Sequence, residues 1–150
     1  MAVRSKEEEE LRKLSVEIRF LEQTAETLQS RINMLNAAIT DLTYADMTLE
    51  GVEKEKENAE LLVPIGGSSY VKVKLANPDK IVVGMGASIS VEKTLPEAKS
   101  ILKERLAELE KTMLSAQQQF AQIAERINTG RNRLEGLLAT LREEKASSDV

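Results

Sequence analysis

Two stretches of the sequence place apolar residues at spacings that alternate between three and four, and this repeat limits what the chain can fold into. The first stretch runs from Leu11 to Leu42 without a break. The second runs from Leu102 to Leu141, and only Gly130 in it lacks an apolar side chain. A seven-residue repeat sustained over this length predicts a helix whose narrow apolar seam packs against another helix. We therefore expect two long helices that pair as a coiled coil.

Residues that favour helix ends accompany both repeats. Ser5 followed by Glu8, and Thr94 followed by Glu97, each match a capping box, in which a hydroxyl accepts a hydrogen bond from a backbone amide in the first turn. We expect the first helix to end at Gly51, before a charged linker. The predicted segments are a helix with its linker over 1–58, a body over 59–93, a second helix over 94–145 and a flexible tail over 146–150.

The middle segment changes to a period of two, which is typical of strands. Val71 and Val73 alternate with lysines, while Gly66-Gly67-Ser68 and Asn77-Pro78-Asp79 carry residues that favour turns. This pattern predicts two β-hairpins with strands near 60–65, 69–76, 80–85 and 88–93.

The fold class that follows is α+β, a long antiparallel coiled-coil helical hairpin with two β-hairpins inserted between the helices. A register in which Leu11 faces Leu137 also sets Ile18 against Gly130, so that a large side chain packs against a residue that has none. Two hairpins of this size cannot bury both faces or satisfy their edges alone, so we expect an oligomer joined through the strands. The alternative is a lone helical hairpin with a small sheet folded against it.

Composition excludes several classes of chemistry. The chain has no Cys and no His, which removes zinc sites built on thiolate or imidazole, cysteine nucleophiles and Ser–His triads. Gly84-Met85-Gly86 begins a dinucleotide-binding pattern that Ile89 does not complete, and no phosphate-binding Gly-Lys-Ser/Thr is present. We expect neither enzymatic activity nor a cofactor.

Charge and hydropathy exclude two kinds of partner. The net charge of −4 argues against nucleic acid, and no apolar run is long enough to cross a membrane. The first ten residues lack a hydrophobic signal region, so we expect a cytoplasmic protein.

Three apolar residues lie outside the coiled-coil seam. Val16 and Phe20 fall one turn apart on the back of the first helix, and Leu138 flanks the second seam. They are either ordinary scattered surface residues or a surface that binds apolar segments of another protein. The pattern alone leaves both interpretations open.

The order of elements and the strand motifs resemble the α-type subunit of prefoldin, in particular an archaeal one. The matching motifs are Leu62-Val63-Pro64-Ile65-Gly66, the run from Lys80 to Ala87, and Ser90-Val91-Glu92-Lys93. Two hairpins rather than one distinguish the α type from the β type. The resemblance implies a hexamer of two α-type and four β-type subunits, whose strands assemble into an oligomeric β-barrel platform from which coiled coils project.

The resemblance also implies a function. The ends of the coiled coils hold non-native polypeptides without ATP and pass them to a group II chaperonin. By position, the oligomer-forming body includes Leu62, Val63, Ile65, Val71, Val73, Leu75, Ile81, Val83, Ile89 and Val91, and the client-binding tip includes Val3, Leu11, Leu14, Val16, Phe20, Leu134, Leu137, Leu138 and Leu141. The alternative function is a coiled-coil scaffold or tether that joins folded partner proteins.

Overall fold

The computed structural model describes the backbone of residues 2–148 and the side chains of residues 6–148. Two long helices flank four strands, in the order that the sequence predicts. The elements are α1 (Ala2–Glu53), β1 (Glu60–Gly66), β2 (Ser69–Lys74), β3 (Lys80–Gly86), β4 (Ile89–Thr94) and α2 (Leu95–Ser148). None of the helices within residues 2–148 has an apolar stretch that could cross a membrane.

The chain forms two compact units. The coiled-coil unit contains the residues up to Asn36 and those from Thr112 onward, and the body unit contains Ala37–Lys111 with all four strands.

The structure confirms one of the predicted helix-end signals and contradicts two. The backbone N–H of Glu97 donates to Thr94 Oγ1 at 3.3 Å, which confirms the cap of α2. Ser5 is not a cap, because α1 already begins at Ala2. Gly51 does not end α1, which continues to Glu53. Residues with good helix propensity extend the helix past both signals, because a capping residue or a single glycine in the interior of a long helix costs only about 1 kcal/mol or less. At the other end of the chain, residues 146–148, which were predicted as part of a flexible tail, belong to α2.

Seam residues form the interior of the coiled-coil unit. Gly130 lies against Ile18, and a Cβ atom built on Gly130 would be only 3.1 Å from Ile18 Cγ1. This contact confirms the antiparallel pairing of Ile18 with Gly130. The buried seam side chains are Ile18, Leu21 and Leu28 from α1, and Met113, Ala116 and Ile127 from α2.

Cross-helix ion pairs flank this seam, with α2 supplying the cation each time. Arg131 Nη2 lies 2.6 Å from Glu22 Oε1, Arg126 Nη2 lies 3.5 Å from Glu17 Oε1, and Arg133 Nε donates to Glu10 Oε1 at 2.8 Å. All six side chains are well exposed, so each pair stabilises the unit by at most about 1 kcal/mol.

The body unit carries two separate two-stranded antiparallel sheets, β1–β2 and β3–β4. Both hairpins share one design. Gly67 and Ser68 (φ of 57° and 58°), like Ala87 and Ser88 (51° and 62°), have the positive φ values of a two-residue type I′ turn. An irregularity in register precedes each turn, between Pro64 and Gly66 and between Gly84 and Gly86. Strand bounds lie within two residues of the predicted ones.

A small apolar core holds the second hairpin against the helices of the body unit. Val83, Leu49 and Ala98 are buried together, and Ala98 has no exposed surface. Ile81, Ile101 and Leu102 pack around them.

An ion pair joins the end of α1 to the start of α2. Lys99 Nζ donates to Glu53 Oε2 at 2.9 Å. That hydrogen bond raises the pKa of Lys99, and the negative charges of Glu53, Glu50 and Asp46 add to the increase while desolvation opposes it.

Candidate functional site

The coiled-coil unit exposes two large apolar side chains on the back of α1, away from its own seam. Val16 is 68% exposed and Phe20 is 65% exposed. With Arg12, Lys13 and Glu17 they line a shallow depression of about 510 Å³. Because these residues belong to one continuous helix, the depression needs no other part of the chain to form it.

A second depression, of about 610 Å³, lies between α1 and α2 and shares Phe20 with the first. Its apolar lining comes from Phe20, Leu28 and Ile123, and its polar lining is almost uncharged. We call the residues of both depressions the Phe20 surface. The polar residues of the second depression are Gln23, Thr24, Thr27, Gln119, Gln122 and Arg126.

The charged residues of the Phe20 surface differ in how they are paired. Glu17 binds Arg126 across the helices, and Lys13 Nζ lies 3.6 Å from Glu9 Oε1. Arg12 makes no ion pair with the described side chains, and neither does Arg19, which is next to Phe20 in sequence. The apolar pair therefore has two guanidinium groups near it that form no ion pair with a described side chain.

The other residues predicted for the tip have different environments. Those at seam positions are half-buried because they serve the pairing of the helices, and Leu14 Cδ1 would lie 3.8 Å from a Cβ on Gly130. Leu138 is 36% exposed, and the side chain of Val3 lies outside the described residues. The structure thus brings Val16 and Phe20 together on an open face, while the half-buried seam residues are Leu11, Leu14, Leu134, Leu137 and Leu141.

Sequence reasoning did not identify the glutamines and threonines of the second depression. A signal for them was present, since no charged residue occurs between Thr112 and Ala124. The exposed face of a coiled coil normally carries charges, so an uncharged stretch of this length marks an unusual surface.

The hairpins expose a second set of apolar side chains, in the body unit. The face of the first hairpin that carries the cross-strand pair Val63 and Val71 is open, with the two side chains 43% and 44% exposed. The corresponding pair of the second hairpin is Val83 and Val91, of which Val83 packs inside the chain's own core. Of the other predicted body residues, Leu62, Ile65 and Ile89 are exposed, and Val73, Leu75 and Ile81 are half-buried.

Comparison with known proteins identifies the family. The family model named Prefoldin, which describes a prefoldin subunit, matches residues 21–139, and these include most of both helices and all four strands. The chain belongs to the prefoldin family. This confirms the resemblance and associates the chain with chaperone function.

Individual prefoldin chains agree with this assignment. The prefoldin alpha subunit of Methanococcoides burtonii is 35% identical over 120 residues, which cover 80% of this chain and 87% of that protein. The prefoldin alpha subunit of Pyrococcus horikoshii is 34% identical over 119 residues, covering 79% and 80%. A chain from the cryo-EM structure of filamentous prefoldin from Methanocaldococcus jannaschii superposes with a TM-score of 0.64 at 28% identity, covering 75% of this chain and 93% of that one. The relatives are subunits, and prefoldin alpha subunits assemble into oligomeric complexes.

Proposed function

We propose that this chain is the α-type subunit of a prefoldin that holds non-native polypeptides without ATP and delivers them to a group II chaperonin. Two copies assemble with four β-type subunits, and the complex works in the cytoplasm, for which a cysteine-free chain is well suited. Family membership supports the assembly and the chaperone role, and the Phe20 surface supports the binding of unfolded chains.

The exposed pair of Val16 and Phe20 carries the proposal. Both side chains keep about two thirds of their surface in water on a face that the helix pairing does not use. Burying one such side chain against a client contributes about 1.5–3 kcal/mol to the binding free energy, before the entropy cost of ordering the client. One subunit therefore binds weakly, and several subunits that act on one unfolded chain bind it tightly through a raised effective concentration.

The body unit supports assembly with other subunits. Each hairpin is a two-stranded sheet with open edges among the described residues, and the Val63–Val71 face of the first hairpin is only partly covered. Isolated sheets of two strands are marginal in water. Strands of neighbouring subunits would pair with these edges, cover this face and complete the β-barrel platform.

The test compares two double variants of the assembled complex in suppressing the aggregation of an unfolded client. Val16→Ser with Phe20→Ser removes the apolar pair of the coiled-coil unit and should abolish most of the suppression. Tyr44→Ser with Met47→Ser is the matched control, because these α1 side chains are 64% and 59% exposed but belong to the body unit. Native mass should be unchanged in both variants.

A truncation extends this test to the seam residues of the tip. Removing 1–14 and 134–150 should abolish client holding and leave the oligomer intact, because the strands lie in the body unit. Full suppression by the Val16/Phe20 variant would show that clients bind elsewhere, and full suppression by the truncated complex would show that the seam residues of the tip are not needed for client holding. Binding that is as strong to a folded partner as to an unfolded one would instead favour the scaffold or tether.

A further inference from the structure

We infer that the Phe20 surface selects client segments in which apolar side chains are accompanied by carboxylates. The inference rests on the proposed function, since it names the class of segment that the surface would hold. Three features of the structure lead to it, namely the arrangement of the basic residues around the apolar pair, their lack of partners, and the neutral groove that continues the surface.

The first feature is the arrangement of side chains around α1. At about 100° per residue, Arg12 and Arg19 project in nearly the same direction, and Val16 and Phe20 follow within roughly a quarter of the helix circumference. Val16 is four residues from Arg12 and three from Arg19, which are the spacings at which helix side chains are neighbours. A segment that covers Val16 therefore comes within reach of both guanidinium groups.

The second feature is the charge balance of the same face. Three acidic residues near the patch are already engaged, Glu17 with Arg126 at 3.5 Å, Glu9 with Lys13 at 3.6 Å and Glu22 with Arg131 at 2.6 Å. A fourth, Glu8, is not without a partner either. Arg12 and Arg19 have no such partner among the described side chains, so a client carboxylate would meet two available cations. A guanidinium binds a carboxylate with two parallel hydrogen bonds, and it gives up its hydration more readily than an ammonium does.

The third feature is the groove into which the surface continues. Phe20 borders this groove, whose polar lining is two threonines, three glutamines and Arg126. The glutamine amides can donate and accept hydrogen bonds, and the hydroxyls of Thr24 and Thr27, which donate to the carbonyls of Phe20 and Gln23, can still accept them. These groups can therefore satisfy the peptide groups of an extended chain whatever its side chains are. The occupant that fits best is an extended segment with acidic residues near Val16 and neutral, partly apolar residues beyond Phe20.

Charge also argues against two other ligands of the Phe20 surface, a basic polypeptide segment and a nucleic acid. A client segment rich in Lys or Arg would place like charges beside Arg12 and Arg19, and this lowers affinity. A nucleic acid requires a larger basic footprint than two arginines on a chain whose net charge is −4.

The experiment uses three fluorescent peptides of one apolar sequence that differ only at two positions, occupied by Glu, Gln or Lys. Fluorescence anisotropy measures their binding to the complex recovered with its partner subunits. We expect the Glu peptide to bind on the order of ten-fold more tightly than the Lys peptide, since two exposed ion pairs each contribute a few-fold. The preference should shrink in high salt.

Variants connect the preference to the two arginines. Arg12→Gln with Arg19→Gln should remove the difference between the Glu and Lys peptides while the Gln peptide binds as before. Arg31→Gln with Arg142→Gln is the matched control, since it removes the same charge from exposed positions in the same unit and should leave the preference intact. Val16→Ser with Phe20→Ser should weaken all three peptides.

The outcomes separate the inference from the function on which it rests. If all three peptides bind equally and only the Val16/Phe20 variant weakens them, the charge selection is overturned and client holding stands. If no peptide binds and unfolded clients still aggregate, the proposed function itself fails. If a short RNA or an anionic lipid vesicle binds through Arg12 and Arg19 while the peptides show no preference, the carboxylate assignment is overturned in favour of that partner.

Discussion

Gly130 determines how closely the two helices approach at one level of the coiled-coil unit. A Cβ at this position would lie 3.1 Å from Ile18 Cγ1 and 3.4 Å from Ile18 Cδ1, and Ile18 is buried at 7% exposure. Glycine in a helix interior costs about 1 kcal/mol relative to alanine. The close packing of Ile18 against the backbone of α2 offsets that cost, so Gly130 works here as a packing residue.

The two glycines of this end of α2 should respond oppositely to substitution. Gly130→Leu forces a large side chain into an occupied site and should destabilise the coiled-coil unit by about 1–3 kcal/mol. Gly136→Ala meets no atom within 4 Å and should stabilise it by about 0.5–1 kcal/mol, because alanine restricts the unfolded chain. Amide hydrogen exchange along α2 measures both effects. Unchanged protection in Gly130→Leu would contradict the register.

Lys99 gives the body unit a predictable response to alkaline pH. Its pKa is raised above the ordinary value of 10.5, chiefly by its hydrogen bond to Glu53. A cation whose pKa is higher in the folded state stabilises that state fully below the unfolded pKa, and the contribution is lost as pH rises through the folded pKa. Lys99→Met should therefore lower Tm at neutral pH, by an amount that shrinks above pH 10.5. Lys103, on the same helix, forms no ion pair with a described side chain, so Lys103→Met is the control.

The β-hairpin is the element on which assembly depends, and its geometry is set by a few backbone angles. Gly66 and Gly86 have φ values of +101° and +93° at equivalent places before the two turns. Residues with a Cβ rarely adopt such positive φ values, and β-branched residues do so least of all. The two glycines are therefore required by conformation, whereas Gly84 has an ordinary φ and open space around it.

A matched pair of valine substitutions tests this requirement. Gly66→Val should destabilise the first hairpin by about 1–2 kcal/mol or more and reduce incorporation into the oligomer. Gly84→Val places the same side chain in a strand where a branched residue is well tolerated, so incorporation should be close to normal. Thermal unfolding and the oligomer fraction in size-exclusion chromatography measure the effect. Equal behaviour of the two variants would argue against backbone strain at Gly66.

At the level of elements, features set by a periodic pattern, including contacts within the coiled-coil seam, were predictable from sequence, and contacts between residues outside the seam were not. The heptads predicted both helices and the contact of Ile18 with Gly130, and alternation around Val71 and Val73 predicted a hairpin. The start of α1 at Ala2 was not predicted, because a capping box is a local signal that a favourable preceding turn overrides. The groove beside Phe20 was not predicted either, since it depends on which glutamines of α2 come next to α1.

For the whole molecule, the expected result is a defined mass of the native complex. A tag on this chain should recover from its own cell lysate a complex of two copies with four of a smaller coiled-coil subunit, because the chain's two hairpins leave edges that other subunits must cover. Native mass spectrometry measures the stoichiometry directly. A bare homodimer, or a one-to-one complex with a folded protein, would contradict the proposed assembly.

The two hairpins of the body unit give the chain two equivalent edges at which a neighbouring subunit could dock. The pairs Glu60–Lys74 and Lys80–Thr94 begin two ladders of the same register, so the second hairpin repeats the first 20 positions later. If each ladder docks one neighbour, the chain is a difunctional monomer, and a subunit with a single hairpin is a chain stopper. The ratio of the two kinds of subunit in the cell would then decide between closed particles and continued growth.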